Sequence, residues 1–287
     1  MSKFASCHST SSGKKAGGNG PHLTIALAGN ANVGKSVIFN QLTGSHQTIG
    51  NWPGKTVDRA VGSLRHNGLD ITIVDLPGIY SLSTFSMEEI VTRDYIAREK
   101  PDVIINVVGA PVLERNLFFT LQLMDMDVPI VVCLNQMDIA ESKGITIDAK
   151  KLETMLGMPV VPTVALKGTG ISRLIDRAAQ AASEGNHRAN LRLGNGVGSC
   201  IDELARLIES EKLDLVYPAR WVATKLIEDD AEIKALVNAK STTIVEAAET
   251  MSRDIEDSHQ QPRFAVVASE RYALASRITG VVQSQIT

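Results

Sequence analysis

Short apolar runs alternate with amphipathic stretches along the first part of the chain. Near-continuous apolar runs lie at 103–108, 129–134 and 159–164, and shorter β-rich runs lie at 23–28 and 70–75. Apolar runs of this kind are typical of strands that are buried on both faces of a parallel sheet. Helical periodicity marks the stretches between them, at 36–42, 87–100, 116–126, 148–156 and 171–182. This alternation predicts a doubly wound α/β domain with a mostly parallel sheet.

A polar segment at 184–194 separates this pattern from a different one. Beyond it, apolar residues recur with the helical period of about 3.6, so that Ile201, Leu204 and Ile208 share one helix face. We find no convincing strand pattern in this part of the chain. The predicted organisation is a disordered tail at 1–20, an α/β domain at 21–183, a linker at 184–194 and a small all-helical domain at 195–287.

Composition narrows the classes of protein that fit this pattern. The 287 residues suit about two domains at roughly 150 residues each. The formal net charge of −3 argues against a nucleic-acid partner. Three widely spaced cysteines indicate a reducing compartment rather than a disulfide framework. No apolar run reaches the roughly 18 residues of a membrane helix, so we expect a soluble, cytoplasmic chain.

The clearest chemical motif follows the strand at 23–28. It reads Gly29-Asn30-Ala31-Asn32-Val33-Gly34-Lys35-Ser36 and fits the phosphate-binding pattern G-x-x-x-x-G-K-[ST]. The glycines let the backbone turn so that successive N–H groups point toward phosphate oxygens. We expect Lys35 to reach the β- and γ-phosphates and the Ser36 hydroxyl to bind Mg²⁺. The helix that continues through Val37 adds positive potential at its N-terminus.

A second motif, Asp75-Leu76-Pro77-Gly78, closes the strand at 70–75. Open α/β sheets bind ligands at the C-terminal ends of their parallel strands, which is where this carboxylate is expected to lie. Asp75 can hold Mg²⁺ through water, and the N–H group of Gly78 can approach the γ-phosphate.

A third motif, Asn135-Gln136-Met137-Asp138, follows the strand at 129–134 and predicts a guanine-binding loop. The Asp138 carboxylate can accept hydrogen bonds from two guanine donors, whereas adenine lacks that donor pattern and would leave the carboxylate unpaired. A lysine commonly stands where this chain has Gln136, so we expect weaker nucleotide retention. The segment Val164-Ala165-Leu166 can cover the base with backbone N–H groups.

These motifs in this order define the translation-factor-like GTPases, and further segments carry a closer resemblance. The stretch 46–57 resembles the first switch of the ferrous iron transport protein B (FeoB) family, and 75–82 and 113–117 are similar to family segments as well. The resemblance covers 22–182 strongly and continues weakly through 195–280. It implies the cytosolic N-terminal region of FeoB, a P-loop GTPase domain followed by a helical regulatory domain, without the family's large membrane domain.

The resemblance also implies roles for residues in the first switch. Thr56 is the switch threonine that closes on Mg²⁺ and the γ-phosphate, with Gly54 and Lys55 in the same nucleotide-contacting loop. A hydroxyl on a mobile loop flanked by Gly and Pro is physically suited to this role, because it can become a ligand only when the γ-phosphate is present.

Ile79 follows the second motif, where Ras-like enzymes place a glutamine that orients the attacking water. Isoleucine cannot orient water by hydrogen bonding, so two hypotheses stay open: a binding switch that barely hydrolyses, and an enzyme in which other groups act. The resemblance implies the second, through K⁺ bound by Asn32 and the backbone carbonyls of Gly50 and Trp52. Such a cation would stabilise transition-state charge as an arginine finger does.

The preferred hypothesis is an enzyme that hydrolyses GTP to GDP with Mg²⁺ and with K⁺ as activator, and that couples nucleotide state to Fe²⁺ uptake. The expected catalytic residues are Lys35, Thr56, Gly78 and Asn32. The expected partners are GTP and GDP, a membrane domain at the cytoplasmic face of the cell membrane, small accessory proteins of iron transport and a second copy of the chain. A free-standing GTPase of ribosome or tRNA maturation is the other alternative, against which the acidic charge argues.

Overall fold

The computed structural model describes residues 21–44, 46–82, 86–185, 189 and 191–285. The predicted disordered tail at 1–20 lies outside the described residues and stays a prediction. Within the described ranges, no helix has the length and apolar character needed to cross a bilayer.

The main sheet has seven strands in the order β2-β3-β4-β1-β5-β6-β8. Strands β1, β4, β5, β6 and β8 run parallel, whereas β2 and β3 form an antiparallel hairpin at one edge. A separate two-stranded sheet joins β7 to β9. The strands are β1 His22–Gly29, β2 Gln47–Asn51, β3 Asp58–His66, β4 Leu69–Asp75, β5 Val103–Gly109, β6 Ile130–Asn135, β7 Ile145–Ile147, β8 Val160–Pro162 and β9 Gln283–Gln285.

Helices cover both faces of the main sheet, which confirms the predicted doubly wound α/β fold. Alternate residues of β1 serve opposite faces: Ile25 and Leu27 belong to one apolar cluster and Ala26 and Ala28 to the other. A helical part then follows, as expected. The helices are α1 Lys35–Thr43, α2 Met87–Glu99, α3 Leu113–Leu123, α4 Met137–Ser142, α5 Ala149–Leu156, α6 Ile171–Glu184, α7 Val197–Ser210, α8 Ala219–Ile227, α9 Ala231–Asn238, α10 Thr242–His259 and α11 Arg263–Val282.

Two features differ from the expectation from sequence. The hairpin of β2 and β3 was not expected, because β2 exposes nearly all of its positions and so lacks an apolar run. The helical region after 195 also contains one short strand, for which its sequence shows no pattern. The last described residues form β9, which pairs antiparallel with β7, and the N–H group of Asp148 donates to the carbonyl of Val282 at 2.8 Å.

The α/β part and the helical part share a core that includes paired charges. Trp221 is buried and lies beside Tyr217, and the buried guanidinium of Arg93, on α2, stacks over both rings. Arg93 also donates to Glu232 of α9, while the Tyr217 hydroxyl donates to Asp94 at 2.8 Å. The indole of Trp221 therefore belongs to the helical core and also contacts the α/β part.

A second group of charges lies where α3 ends. Asp125 accepts hydrogen bonds from Arg220 at 2.9 Å and from Arg271 at 3.3 Å. Arg271 also donates to Glu228, which accepts from Lys225 at 2.7 Å. Burial acts to raise the pKa of Glu228, but the attraction of Lys225 and Arg271 outweighs it and holds this pKa below its ordinary value.

Glu228 is therefore expected to stabilise the fold in a pH-dependent way. Glu228→Gln should lower the free energy of unfolding at neutral pH by about 3 kcal/mol, because the buried cations Lys225 and Arg271 lose the negative charge that they pair with. A carboxyl group with a lowered native-state pKa stabilises fully above its ordinary value of 4.5 and loses this effect as the pH falls through the native value. Urea unfolding at neutral and acid pH should show the difference shrinking in acid. Glu203→Gln, at an exposed position of α7, is the control. A difference that is constant with pH would contradict the assignment.

Candidate nucleotide-binding site

The loop at 29–36 connects β1 to α1 and depends on its two glycines. Gly29 has φ 154° and Gly34 has φ 89°, conformations that side chains rarely adopt. A Cβ atom on Gly29 would lie 2.6 Å from the carbonyl oxygen of Val107, and one on Gly34 would lie 2.4 Å from Nδ2 of Asn135. The neighbouring strands β5 and β6 therefore hold the loop closely and accept only glycine at both positions.

Asn135, at the end of β6, is the residue that joins the loop to its surroundings. Its side chain is only 3% exposed, and Nδ2 donates to the carbonyl of Val33 at 2.9 Å. Its Oδ1 accepts from the Thr163 hydroxyl at 3.1 Å and from the N–H group of Ala165 at 3.0 Å. One amide thus ties the predicted phosphate loop to the predicted base-covering segment. Thr163 was not among the predicted site residues, because a threonine that ends a strand carries no distinctive signal.

Lys35 of the phosphate loop and Asp75 of the second motif are in direct contact. Lys35 Nζ lies 2.5 Å from Asp75 Oδ1, and both side chains are largely buried. Burial raises the pKa of Asp75 above its ordinary value, although the charge of Lys35 opposes this shift. Ser36 lies exposed at the start of α1, so a hydroxyl and a carboxylate are available from adjacent strand ends. Oxygen donors of this kind fit Mg²⁺.

The second motif packs directly under the phosphate loop. A Cβ atom on Gly78 would lie 3.3 Å from Cα of Ala31, so glycine allows this close approach. The N–H group of Ile79 donates to the carbonyl of Gly29 at 3.3 Å, and its side chain is 3% exposed. Ile79 therefore belongs to the core and cannot face a bound water. Val33 and Leu76 are buried apolar residues as well, so only their backbone groups can serve a ligand.

The predicted switch segment at 46–57 includes β2 and the connection from β2 to β3, and the side chain of Trp52 packs it against α2. The Trp52 ring packs edge-on against Tyr95 of α2 with centroids 5.3 Å apart, and the guanidinium of Arg59 lies over it at 5.0 Å. Burial raises the pKa of Tyr95 to about 12. Sequence reasoning used only the carbonyl of Trp52 and missed this anchoring role. Thr56, near the end of the connection at 52–57, is exposed.

The groups predicted to hold K⁺ lie in two segments. Asn32 has a left-handed backbone with φ 65° and an exposed side chain in the phosphate loop. Gly50 is paired with Arg59 in the hairpin, and the Trp52 carbonyl accepts the N–H group of Lys55 at 3.0 Å. The potassium site stays a prediction, as does the contact of Gly54 and Lys55 with nucleotide.

The predicted base loop begins α4. Asp138 Oδ1 accepts from the N–H group of Ile139 at 3.0 Å, and Oδ2 lies 3.4 Å from Nζ of Lys167. Gln136 and Met137 are half-buried beside it. Lys167 was not predicted, because the neighbouring segment Val164-Ala165-Leu166 was interpreted for its backbone N–H groups alone. Within that segment Leu166 is exposed, whereas the N–H group of Ala165 is already engaged by Asn135.

The phosphate loop, the Lys35–Asp75 contact and the N-x-x-D loop all lie at the C-terminal edge of one mostly parallel sheet. This arrangement defines a P-loop GTPase domain. Family models agree and extend the assignment to the helical part. A model described as ferrous iron transport protein B matches 23–178, and one described as the FeoB cytosolic helical domain matches 194–284. The chain belongs to the FeoB family.

Relatives and solved structures are consistent with this membership. The Fe(2+) transporter FeoB of Escherichia coli K12 is 37% identical over 273 residues, which cover 92% of this chain and 34% of the relative. A fusion of Fe(2+) transport protein A and FeoB from Porphyromonas gingivalis is 39% identical over 265 residues, covering 88% of this chain and 31% of the relative. The chain therefore spans about a third of the length of these relatives.

Two solved structures illustrate the match in three dimensions. A GDP-bound mutant of the S. thermophilus NFeoB protein has 36% identity and a TM-score of 0.84, and the match covers 91% of this chain and 100% of that chain. The cytosolic domain of L. pneumophila FeoB has 33% identity and a TM-score of 0.78, with the same coverage. These similarities confirm the fold expected for both parts of the chain.

Asn135 offers a direct test of the site's architecture in the absence of ligand. Asn135→Ala should lower the free energy of unfolding by about 1–3 kcal/mol, because buried donors and acceptors on both loops lose their partner. Urea denaturation of the nucleotide-free protein measures this loss. Asn238→Ala, at an exposed position of α9, is the control and should change stability little. Equal stability of the Asn135→Ala variant and the parent would contradict the role assigned to this amide.

Proposed function

We propose that this chain binds GTP and hydrolyses it to GDP and phosphate in a reaction that requires Mg²⁺ and is stimulated by K⁺. The observation that carries the proposal is the convergence of Lys35, Asp75 and the loop at 29–36 at one sheet edge, with the guanine-specific acid Asp138 at the start of α4. Phosphate binding and base recognition are thus supported by separate elements of the same edge.

The residues divide the work according to their chemistry. N–H groups of the phosphate loop and the Lys35 ammonium neutralise the phosphate oxygens. Ser36, Asp75 and Thr56 would hold Mg²⁺, which supplies positive charge to the β- and γ-phosphates. The Lys35–Asp75 contact supports this reading, because a phosphate competes for the same ammonium and releases the carboxylate toward the metal. Gly78 brings its backbone N–H group to the γ-phosphate.

The burial of Ile79 favours a second candidate function, a nucleotide-dependent binding switch with negligible turnover. If the chain does hydrolyse GTP, a group other than residue 79 must stabilise the transition state. We propose that this group is a K⁺ ion bound by Asn32 and the carbonyls of Gly50 and Trp52. The exposed position of the Asn32 side chain at the loop supports its access to a cation beside the phosphates.

In the whole protein we place this chain at the cytoplasmic face of the cell membrane, where nucleotide state is coupled to Fe²⁺ uptake by a membrane domain. A route for that coupling runs through α2, which follows the second motif and whose Arg93 contacts Glu232 in the helical part. Small accessory proteins of iron transport and a second copy of the chain are further proposed partners. FeoB membership favours iron transport over ribosome or tRNA maturation.

Base recognition can be tested at Asp138. Asp138→Asn should shift preference from guanosine to xanthosine nucleotides, because an amide donates to the xanthine carbonyl where the carboxylate accepts from the guanine amine. Calorimetric titration with GDP and with xanthosine diphosphate measures both affinities. Asp148→Asn, in the N-terminal cap of α5, is the matched control and should keep the preference for GDP. Unchanged GDP preference in Asp138→Asn would remove the base assignment.

Turnover and its dependence on potassium can be tested at Asn32. We expect phosphate release from GTP to be faster in KCl than in NaCl, and Asn32→Ala to abolish this difference while sparing GDP binding. Turnover by the parent that is negligible in both salts would leave only the binding switch. Stimulation that persists in Asn32→Ala would show that the cation binds elsewhere.

A further inference from the structure

The end of β5 and the beginning of the base loop lie side by side. Gly109 ends β5 and pairs with Asn135 of β6, so Gln136 follows directly beside it. Gln136 has a left-handed backbone with φ 63°, and its Nε2 donates to the carbonyl of Asn32 at 3.2 Å. Its Oε1 lies 3.1 Å from the position that a Cβ atom on Gly109 would occupy. The amide of Gln136 therefore spans the gap between strand β5 and the phosphate loop.

The orientation of this amide follows from its partner. The carbonyl of Asn32 can only accept a hydrogen bond, so it requires the NH₂ group of Gln136 and directs Oε1 toward Gly109. The backbone of Gly109, with φ −79° and ψ 114°, is one that any residue adopts. Space rather than conformation therefore limits residue 109, because an added Cβ atom would make the Gln136 amide shift by a few tenths of an ångström.

The surroundings of Gly109 determine which group would move if a side chain were added. Oδ1 of Asn116 and Cγ2 of Val112 each lie 3.4 Å from the position of the added Cβ atom. Asn116 is buried and accepts the N–H group of Gly109 at 2.7 Å, so it is held in place. Val112 already lies in ordinary contact. The half-buried amide of Gln136, which is closest, is the group that a methyl group would displace.

We propose that Gly109 and Gln136 are a matched pair that sets how long a guanine nucleotide stays bound. Gln136 holds the carbonyl of Asn32 next to the Val33 carbonyl that Asn135 holds, so successive residues of the base loop secure successive residues of the phosphate loop. Gly109 acts as a positioning residue, because its missing side chain leaves room for the Gln136 amide. The inference rests on the proposed nucleotide binding and adds a residue that no phosphate or base motif contains.

A double-mutant cycle on the release rate of a fluorescent GDP analogue tests the pair. Gln136→Ala should release the analogue about two- to tenfold faster, the range expected for loss of one hydrogen bond. Gly109→Ala should accelerate release in the same range by displacing the amide. The double variant should be no faster than Gln136→Ala alone, because the amide that Gly109 accommodates is gone. Gly280→Ala, where a Cβ atom meets open space, is the matched control.

Substitutions of Gln136 that keep or remove its hydrogen-bond donor distinguish a specific effect on the phosphate loop from a general loss of stability. Gln136→Lys retains a donor for Asn32 and should release the analogue no faster than the parent does, whereas Gln136→Glu turns an acceptor toward the carbonyl and should release it faster. Additive effects in the cycle, or an unchanged rate in both Gly109→Ala and Gly109→Ser, would overturn the pairing while leaving nucleotide binding intact. Failure of the folded parent protein to bind the analogue would overturn the proposed function and this inference together.

Discussion

The candidate site depends on the hydrogen bonds that the side-chain amide of Asn135 makes. It uses both of its polar atoms inside the protein, and it connects the ends of β1, β6 and β8 through Val33, Thr163 and Ala165. A buried amide with unmet hydrogen bonds is costly, so these loops are held at one spacing. The loops proposed to bind phosphate and to recognise the base are thereby held relative to each other, an arrangement that would reduce the entropy lost on binding.

The helical part depends on a different constraint, the pairing of buried charges. Arg93 is about 1% exposed and pairs with Glu232, and Asp125 pairs with Arg220 and Arg271. Arg93 and Asp125 are costly to bury without their partners, so moving the helical part away from the α/β part would deprive both of the partners on the helices. Since α2 carries Arg93 and also packs against Trp52, it contacts both the predicted switch segment and the helices.

Much of the fold and of the site could be predicted from sequence, and the exceptions share a cause. The parallel strands were predicted because burial on both faces requires unbroken apolar runs. Strand β2 lies at an exposed edge, and β9 is short and pairs with residues far away in the chain, so neither has such a run. The site residues inside motifs could be predicted because each motif is a short run of neighbouring residues. Lys167 contacts Asp138, and the ring of Trp52 contacts Tyr95. No motif specifies either contact, because the partners come from other segments of the chain.

The phosphate and base motifs can be predicted from the sequence because the residues of each motif are close together in the chain. Gly29 to Ser36 must turn within a few residues, and Asp138 must follow a strand closely, so spacing alone carries the information. The contact of Gly109 with Gln136, the pairing of Asp125 with Arg271 and the joining of β7 to β9 involve residues distant in sequence. Their proximity arises from strand order and helix packing, which place separate segments within a few ångströms of each other, and no pattern within either segment records that distance.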